Sequence, residues 1–201
     1  MPFIGNKPSA VPLTSADITD GIIVNADINS SAAIAYSKLS LGTSITNSDI
    51  STTAAIATTK LGAGAVLQVI TATDSTARTT TSTSYVTASN TLSVSITPSS
   101  ASNKILILCS SSIQNATAGA ETNVTVFRDS TNLAGTSSFI YGYHVSAYES
   151  NSLGINYLDS PNTTSSITYQ VYLRTTSPGT AQINIGNIGG VGSITCMEIK
   201  G

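Results

Sequence analysis

The chain has 201 residues, of which 40% are hydrophobic and 9% are charged, and its formal net charge is −2. Ordinary soluble domains carry about 25% charged residues, so the polarity of this chain comes mainly from Ser and Thr. Its eight Lys and Arg are scattered, which indicates neither a nucleic-acid surface nor a polybasic membrane anchor. We also expect no membrane insertion, because no apolar run reaches the ~18 residues of a membrane helix.

The first 22 residues contain Pro2, Pro8 and Pro12. Proline removes a backbone donor and biases the preceding residue toward extended backbone. We therefore predict an extended N-terminal arm over residues 1–22.

Two stretches that follow the arm are nearly the same sequence. Residues 23–39 read IVNADINSSAAIAYSKL and residues 45–61 read ITNSDISTTAAIATTKL, and the second copy begins 22 residues after the first. A short repeat of fixed period marks a unit that buries its apolar side only against a neighbour or against other chains. We predict that residues 23–64 form an oligomerisation stalk.

Within each repeat, Asp27 or Asp49 is a suitable helix N-cap, and the apolar residues after it recur at helical spacing. The predicted oligomerisation stripe consists of Ile28, Ala32, Ala35, Leu39, Ile50, Ala54, Ala57 and Leu61. A helix of about 12 residues is marginal alone in water, so association would supply its stability. An extended, interwoven stalk is the alternative, because Ser and Thr compete with helix by bonding to nearby backbone groups.

After Gly64 the apolar period changes from helical spacing to alternation, which marks a third segment over residues 65–201. Short alternating runs separated by turn residues predict an antiparallel, jelly-roll-like β-sandwich, so the fold class is mainly β. The alternation places Ile167 and Tyr169 on a buried face, and it makes residues 104–112 apolar on both faces, as in a central strand or a subunit contact. The predicted strands are residues 66–70, 92–97, 104–112, 122–128, 138–147, 154–158, 167–175, 181–185 and 192–200.

The sequence carries no catalytic or metal-binding motif. The single histidine, His144, has Glu149 nearby in sequence, but nothing completes a triad or a metal cluster, so a surface or interface histidine is the simpler interpretation. The glycine-rich run at 186–192 lacks the Lys-Ser/Thr of a phosphate loop and leads into a strand. We expect no enzymatic activity, no catalytic residue, no metal and no cofactor.

A tyrosine-rich segment has the composition of a recognition surface. Its side chains are Tyr141, Tyr143, His144, Tyr148 and Tyr157. Tyrosine supplies contact area together with a polar tip, which suits contact with a sugar or a protein surface. The alternative is that these rings line the sandwich core or a trimer axis.

The repeat, of the form Ile-x-Asn-x-Asp-Ile-x-x-x-Ala-Ala-Ile-Ala-x-x-Lys-Leu, resembles the short repeats of tail-fibre and related virion proteins of tailed bacteriophages, notably those of marine cyanobacteria. The runs at 124–133 and 193–200 are similar to small β-sandwich heads of such fibres. This resemblance implies a homotrimer made in the host cytoplasm and located in the virion, with residues 1–22 docked on another virion protein. The head, residues 65–201, would bind a host-surface glycan or protein.

Two repeats cannot project far, since a helix rises only about 1.5 Å per residue. A capsid-decorating protein, a head fibre or a tail adaptor without receptor binding is therefore the main alternative to a host-binding fibre. A polysaccharide depolymerase is the third hypothesis, because scattered carboxylates can meet in space to form an acid/base pair.

Overall fold

The structure is a computed structural model that describes residues 19, 21, 23–29, 31–34, 50, 54, 56–57, 60–176, 178–184 and 190–201. The chain divides into two units, Met1–Ala55 and Ile56–Gly201. The predicted arm, apart from residues 19 and 21, lies outside the described residues, as do Ala35 and Leu39 of the predicted stripe.

The described part of the repeats contains a short 3₁₀ helix, Asn25–Asp27, and no α-helix. The prediction of a helix starting at Asp27 is therefore wrong at residues 28, 29 and 31–34. Polar side chains take the backbone donors instead: Val24 N donates to Asp27 Oδ2 at 2.9 Å and Ser31 N donates to Asn29 Oδ1 at 2.8 Å. Such local bonds offer the chain an alternative to helix.

The β-sandwich begins at Val66 and ends at Ile199, and all of its strand pairs are antiparallel. Its strands are β1 (Val66–Asp74), β2 (Arg78–Thr80), β3 (Ser93–Ile96), β4 (Lys104–Asn115), β5 (Ala120–Arg128), β6 (Thr131–Asn132), β7 (Ile140–His144), β8 (Asn151–Asp159), β9 (Ile167–Thr175), β10 (Ala181–Ile183) and β11 (Gly192–Ile199).

Eight of these strands form two four-stranded layers. In the first sheet the order is β1-β11-β4-β8, and in the second sheet it is β3-β9-β5-β7. The short strands β10 and β2 extend the first sheet beside the end of β4, and β6 forms a hairpin with β5. In each sheet the neighbouring strands are not consecutive in sequence, and the first and last strands, β1 and β11, pair with each other. Two four-stranded antiparallel sheets with this connectivity form a jelly roll. The predicted mainly-β, jelly-roll-like sandwich is confirmed.

The core lies between the two sheets and follows the alternation of the strands. Ile105 and Ile107 of β4 and Val171 and Leu173 of β9 are fully buried members of one apolar core. Strand β4 pairs with β8 on one side and with β11 on the other, so it is central, as its two apolar faces predict. Full burial of each such side chain contributes about 1.5–3 kcal/mol.

The strand register defines two ends of the sandwich. Val66 at the start of β1 pairs with Ile199, which pairs with Lys104 at the start of β4. We call this the near end, since the chain from the repeats enters the sandwich there. Asn115 ends β4 at the opposite, far end. The 12 residues of β4 separate the two ends by roughly 35 Å.

Candidate functional site

Strand β7 and its connection to β8 carry a set of large, solvent-exposed side chains. Their exposed fractions are 59% for Tyr141, 50% for Tyr143, 71% for Val145 and 63% for Tyr148. We call these four residues the tyrosine patch. Exposed apolar side chains are ordinary singly, but a contiguous group of them marks an interaction site.

The alternation of β7 explains which predicted residues belong to this patch. Tyr141 and Tyr143 point to the outer face of the second sheet, whereas His144 is completely buried. The prediction of a surface or binding role for His144 is therefore wrong, because successive side chains of a strand point to opposite faces. Its Nδ1 atom lies 2.9 Å from the Glu149 carbonyl oxygen, and its Nε2 atom has no hydrogen-bond partner in the described part of the chain.

Tyr157 is also separated from the patch. It lies on the inward side of β8 and packs against the core, with its ring centroid 4.9 Å from that of Phe139. The alternative interpretation, that the rings line the core, therefore applies to Tyr157. The set predicted from sequence consequently divides into three exposed tyrosines and two inward-facing side chains.

A carboxylate holds Tyr141 in place. The Tyr141 hydroxyl donates a hydrogen bond to Glu121 Oε1 at 2.9 Å, and Thr176 Oγ1 donates to Glu121 Oε2 at 2.5 Å. The bond from Thr176, followed by that from Tyr141, lowers the pKa of Glu121, and the same contact with Glu121 raises the pKa of Tyr141. Glu121 therefore stays ionised and Tyr141 stays protonated at neutral pH, which fixes the direction of this hydroxyl.

Hydrogen bonds donated by backbone N–H groups hold the loop after β7. Glu149 Oε2 accepts from Val145 N at 3.0 Å, and Tyr148 N donates to the Asn115 carbonyl at 2.8 Å. Tyr148 has a φ of +61°, a left-handed conformation that non-glycine residues rarely adopt and that is found preferentially at binding sites. The loop therefore presents Val145 and Tyr148 from a defined backbone.

A cleft of about 450 Å³ lies beside the patch, where the outer edges of β7 and β8 face each other. Its lining combines apolar, amide and hydroxyl groups and consists of Ile113, Ile140, Tyr141, Gly142, Tyr143, Asn151 and Ser152. Gly142 fits this tightly packed position, because an added Cβ would lie 3.0 Å from Ile113 Cδ1 and 3.2 Å from His144 Nε2, so that these side chains would have to shift. Clefts of this volume are within the range of small-ligand sites.

The patch lies at the far end of the sandwich. His144 pairs with Ala120 at the start of β5, and Asn151 pairs with Ile113 near the end of β4. The tyrosine patch is therefore separated by most of the length of β4 from the point where the repeats join the sandwich.

Sequence reasoning placed Asn151 in the tyrosine-rich segment but missed Val145, Glu121 and the cleft residue Ser152. The pairing of Glu121 with Tyr143 joins residues 22 positions apart, and that of Asn151 with Ile113 joins residues 38 positions apart. Local patterns do not specify such register. The strand alternation, by contrast, already separated Tyr143 from His144 and could have removed the histidine from the predicted set.

Aromatic side chains cover part of the outer face of the second sheet. Tyr172 packs on Phe127 with ring centroids 4.1 Å apart, and the Arg174 guanidinium lies 4.7 Å from the centre of the Tyr85 ring. The segment that carries Tyr85 therefore covers part of this face, and the exposed aromatic surface is confined to the β7 side.

The described side chains of the repeats are exposed. Ile23, Val24, Ile28, Ile34, Ile50, Ile56 and Leu61 have exposed fractions between 37% and 55%. Ala32, Ala54 and Ala57 of the predicted stripe are exposed as well.

Among the residues that the structure describes, no group of three or more His, Cys, Asp or Glu side chains could hold a metal ion. In the same part of the chain, no helix is long and apolar enough to cross a membrane.

No protein-family model and no curated protein matches the chain. Solved structures of infectious bursal disease virus are similar to it over 66% of its length. They include virus-derived T=1 particles (11% identity, TM-score 0.40), the Gt strain (11%, 0.39) and the VP2 subviral particle (12%, 0.37). The match spans only 37 to 39% of those chains, and at these scores it transfers no function to this protein.

Proposed function

We propose that this protein is a structural virion protein of a tailed bacteriophage: a homotrimeric short fibre whose N-terminal arm docks on the particle and whose head binds the host surface. The observation that carries the proposal is the tyrosine patch, which lies at the far end of the sandwich, away from the entry of the repeats at Val66. A surface that must reach a host belongs at that end.

The repeats support the oligomeric part of the proposal. Seven of their large apolar side chains remain between 37% and 55% exposed in the single chain, and the repeat sequence resembles that of trimeric fibre stalks. Burial of such side chains against two further copies would contribute about 25 cal/mol per Å² of apolar area. We therefore propose that residues 23–64 associate as a trimer.

The outer face of the first sheet offers a second contact between copies. A continuous row crosses its four strands, because Val69 pairs with Met197, Met197 with Leu106, and Leu106 with Leu158. Val69 and Leu158 are 54% and 48% exposed. The next row, toward the far end, consists of Thr71, Thr195, Leu108 and Asn156, so neither row contains an ionisable group that would repel a second copy.

A binding role fits the patch better than catalysis. Glu121 is engaged by Thr176 and Tyr141, and Glu149 accepts backbone bonds within its own loop. Glu121 therefore serves to position the Tyr141 ring, and Glu149 serves to hold the loop at Val145. We propose that the protein is not an enzyme and needs no cofactor, and that turnover assays on host polysaccharides give no products.

Two experiments test this proposal. Fluorescently labelled full-length protein should bind a subset of aquatic bacteria, cyanobacteria included. The double variant Tyr141→Ala/Tyr143→Ala should lose that binding, whereas Thr131→Ala, which changes an exposed side chain of β6, should retain it. Equal binding by both variants would contradict the role of the patch.

Immunogold labelling of virus particles then distinguishes a tail location from a capsid location. Gold at the tail supports a tail fibre, whereas gold distributed over the capsid supports the decoration alternative. Particles that carry no label would exclude a virion protein altogether.

A further inference from the structure

We propose that the cleft between β7 and β8 binds a neutral saccharide. This inference rests on the proposed host-attachment function and specifies its ligand. It depends on three features of the far end of the sandwich: the composition of the cleft, the charges around it and the fixed position of its rings.

The composition of the cleft matches the two kinds of surface on a sugar ring. The partly exposed Ile140 supplies apolar surface for C–H groups, and Asn151 and Ser152 supply an amide and a hydroxyl for sugar hydroxyl groups. The exposed tyrosine rings at the rim add area on which a sugar ring can pack. The polar groups of such a site orient the ligand and give it specificity.

The charges around the cleft select against an acidic ligand. No Lys or Arg lines it, and the nearest carboxylates of the patch are Glu121, bonded to Tyr141, and Glu149, bonded to Val145 N. Arg174 pairs with Asn123, which in turn pairs with Tyr141; it stacks on Tyr85 and interacts electrostatically with Glu121. Because no cation lines the cleft, an acidic saccharide would find no counter-charge there, whereas a neutral saccharide needs none.

The rings are positioned before any ligand arrives. Tyr141 and Tyr143 lie on a paired strand, and the Tyr141 hydroxyl is oriented by Glu121 so that its oxygen remains an acceptor. A ligand that binds to such side chains does not have to offset the entropy of ordering them. This arrangement favours repeated, weak contacts to a polysaccharide, which a trimer would multiply.

Affinity electrophoresis of the full-length protein tests the inference. Native gels contain dextran, laminarin or mannan as neutral polymers, or alginate as an acidic polymer. We expect at least one neutral polymer to retard the wild type and alginate not to retard it. Tyr143→Ala and Asn151→Ala should each reduce the retardation about fivefold or more, the scale of one lost aromatic or hydrogen-bonded contact.

Thr131→Ala is the matched control, because it removes an exposed side chain of β6, outside both the cleft and the proposed contacts between copies, and should migrate as the wild type does. Circular dichroism confirms that each variant is folded. The inference is overturned if no neutral polymer retards the wild type, if alginate retards it equally, or if Tyr143→Ala migrates like the wild type.

A second assay separates failure of this inference from failure of the host-attachment function. Host cells are treated with periodate, which cleaves vicinal diols of sugars, or with a protease. Loss of binding after periodate alone supports the saccharide. Loss after protease alone contradicts it while leaving host attachment intact, and absence of binding to untreated cells contradicts both.

Discussion

The repeats and the head contain similar apolar residues but use them in opposite ways. Ile107 in the head is completely buried between the two sheets, whereas Ile28 and Ile50 in the repeats are 42% and 40% exposed. In the head the strand alternation directs each isoleucine inward, and the paired sheets satisfy the backbone. The described part of the repeats has neither strands nor α-helices to do this.

The difference shows where each region obtains its stability. The head buries its core within one chain, so a single copy of the head should be able to fold by itself. The repeats leave apolar surface uncovered in one chain, so their order should depend on association with other copies. The predictions below are arranged to test this contrast.

The largest effect is expected from a matched pair of substitutions. Ile107→Ala removes fully buried atoms and should lower the free energy of unfolding by about 3 kcal/mol, within the range for core truncations. Ile28→Ala should change the unfolding of the head by less than about 0.5 kcal/mol. Urea denaturation followed by circular dichroism measures both, and equal effects of the two variants would contradict the contrast.

The next effect concerns a buried carboxylate at the near end of the head. Glu198 is 1% exposed and accepts hydrogen bonds from Gln68 Nε2, Ser99 N and Asn103 Nδ2. Glu198→Gln replaces one accepting oxygen with an amide NH₂ group, which cannot accept a hydrogen bond from these donors. It should lower the free energy of unfolding by about 2 kcal/mol. The exposed Glu149→Gln is the control and should cost less than about 0.5 kcal/mol. A cost for Glu198→Gln no larger than that of the control would refute this account of Glu198.

The same carboxylate predicts how stability depends on pH. Burial alone would raise the pKa of Glu198, but the hydrogen bonds from Asn103, Gln68 and Ser99 outweigh it and hold the pKa below the ordinary value of 4.5. A lowered pKa in the folded state stabilises the protein above the unfolded-state pKa, and this contribution is lost as the pH falls through the folded-state value. The melting temperature of the head should therefore stay constant between about pH 7 and 5 and fall below about pH 4.

Calorimetry of Glu198→Gln isolates this contribution. The variant lacks the titrating group, so its melting temperature should fall less steeply below pH 4 than that of the wild type. Parallel acid dependence in the two proteins would mean that other groups control acid unfolding.

The smallest effect on stability is expected at the tyrosine patch. Tyr143→Ala removes a half-exposed side chain from the outer face of the second sheet and should change the unfolding free energy by less than about 0.5 kcal/mol. The same variant should lose host and saccharide binding, so stability and function are separated at this position. Loss of folding in Tyr143→Ala would instead make the patch part of the structural core.

Alternation and turn residues predicted the strands of the head well. Residues 167–175 were predicted as a strand with Ile167 and Tyr169 buried, and β9 has those bounds and that face. In such strands the local pattern and the tertiary packing agree. The order of the strands could not be read locally, because pairs such as Val69 with Met197 join residues 128 positions apart.

The repeats and the patch show where local patterns misled. Spacing at Ile28 and Ala32 suggested a helix, but Asp27 and Asn29 bond to nearby backbone instead. At the patch, composition grouped His144 with its tyrosine neighbours, although a strand directs it to the opposite face. The cleft depends on β7 and β8 being edge strands, which only the assembled sandwich defines.

Sedimentation equilibrium of the full-length protein at micromolar concentration tests the central claim most directly. The account predicts a species with three times the chain mass of 20.5 kDa, which dissociates at higher concentration in Ile28→Ala than in the wild type. A wild-type protein that sediments as a single 20.5 kDa chain across the micromolar range would contradict it.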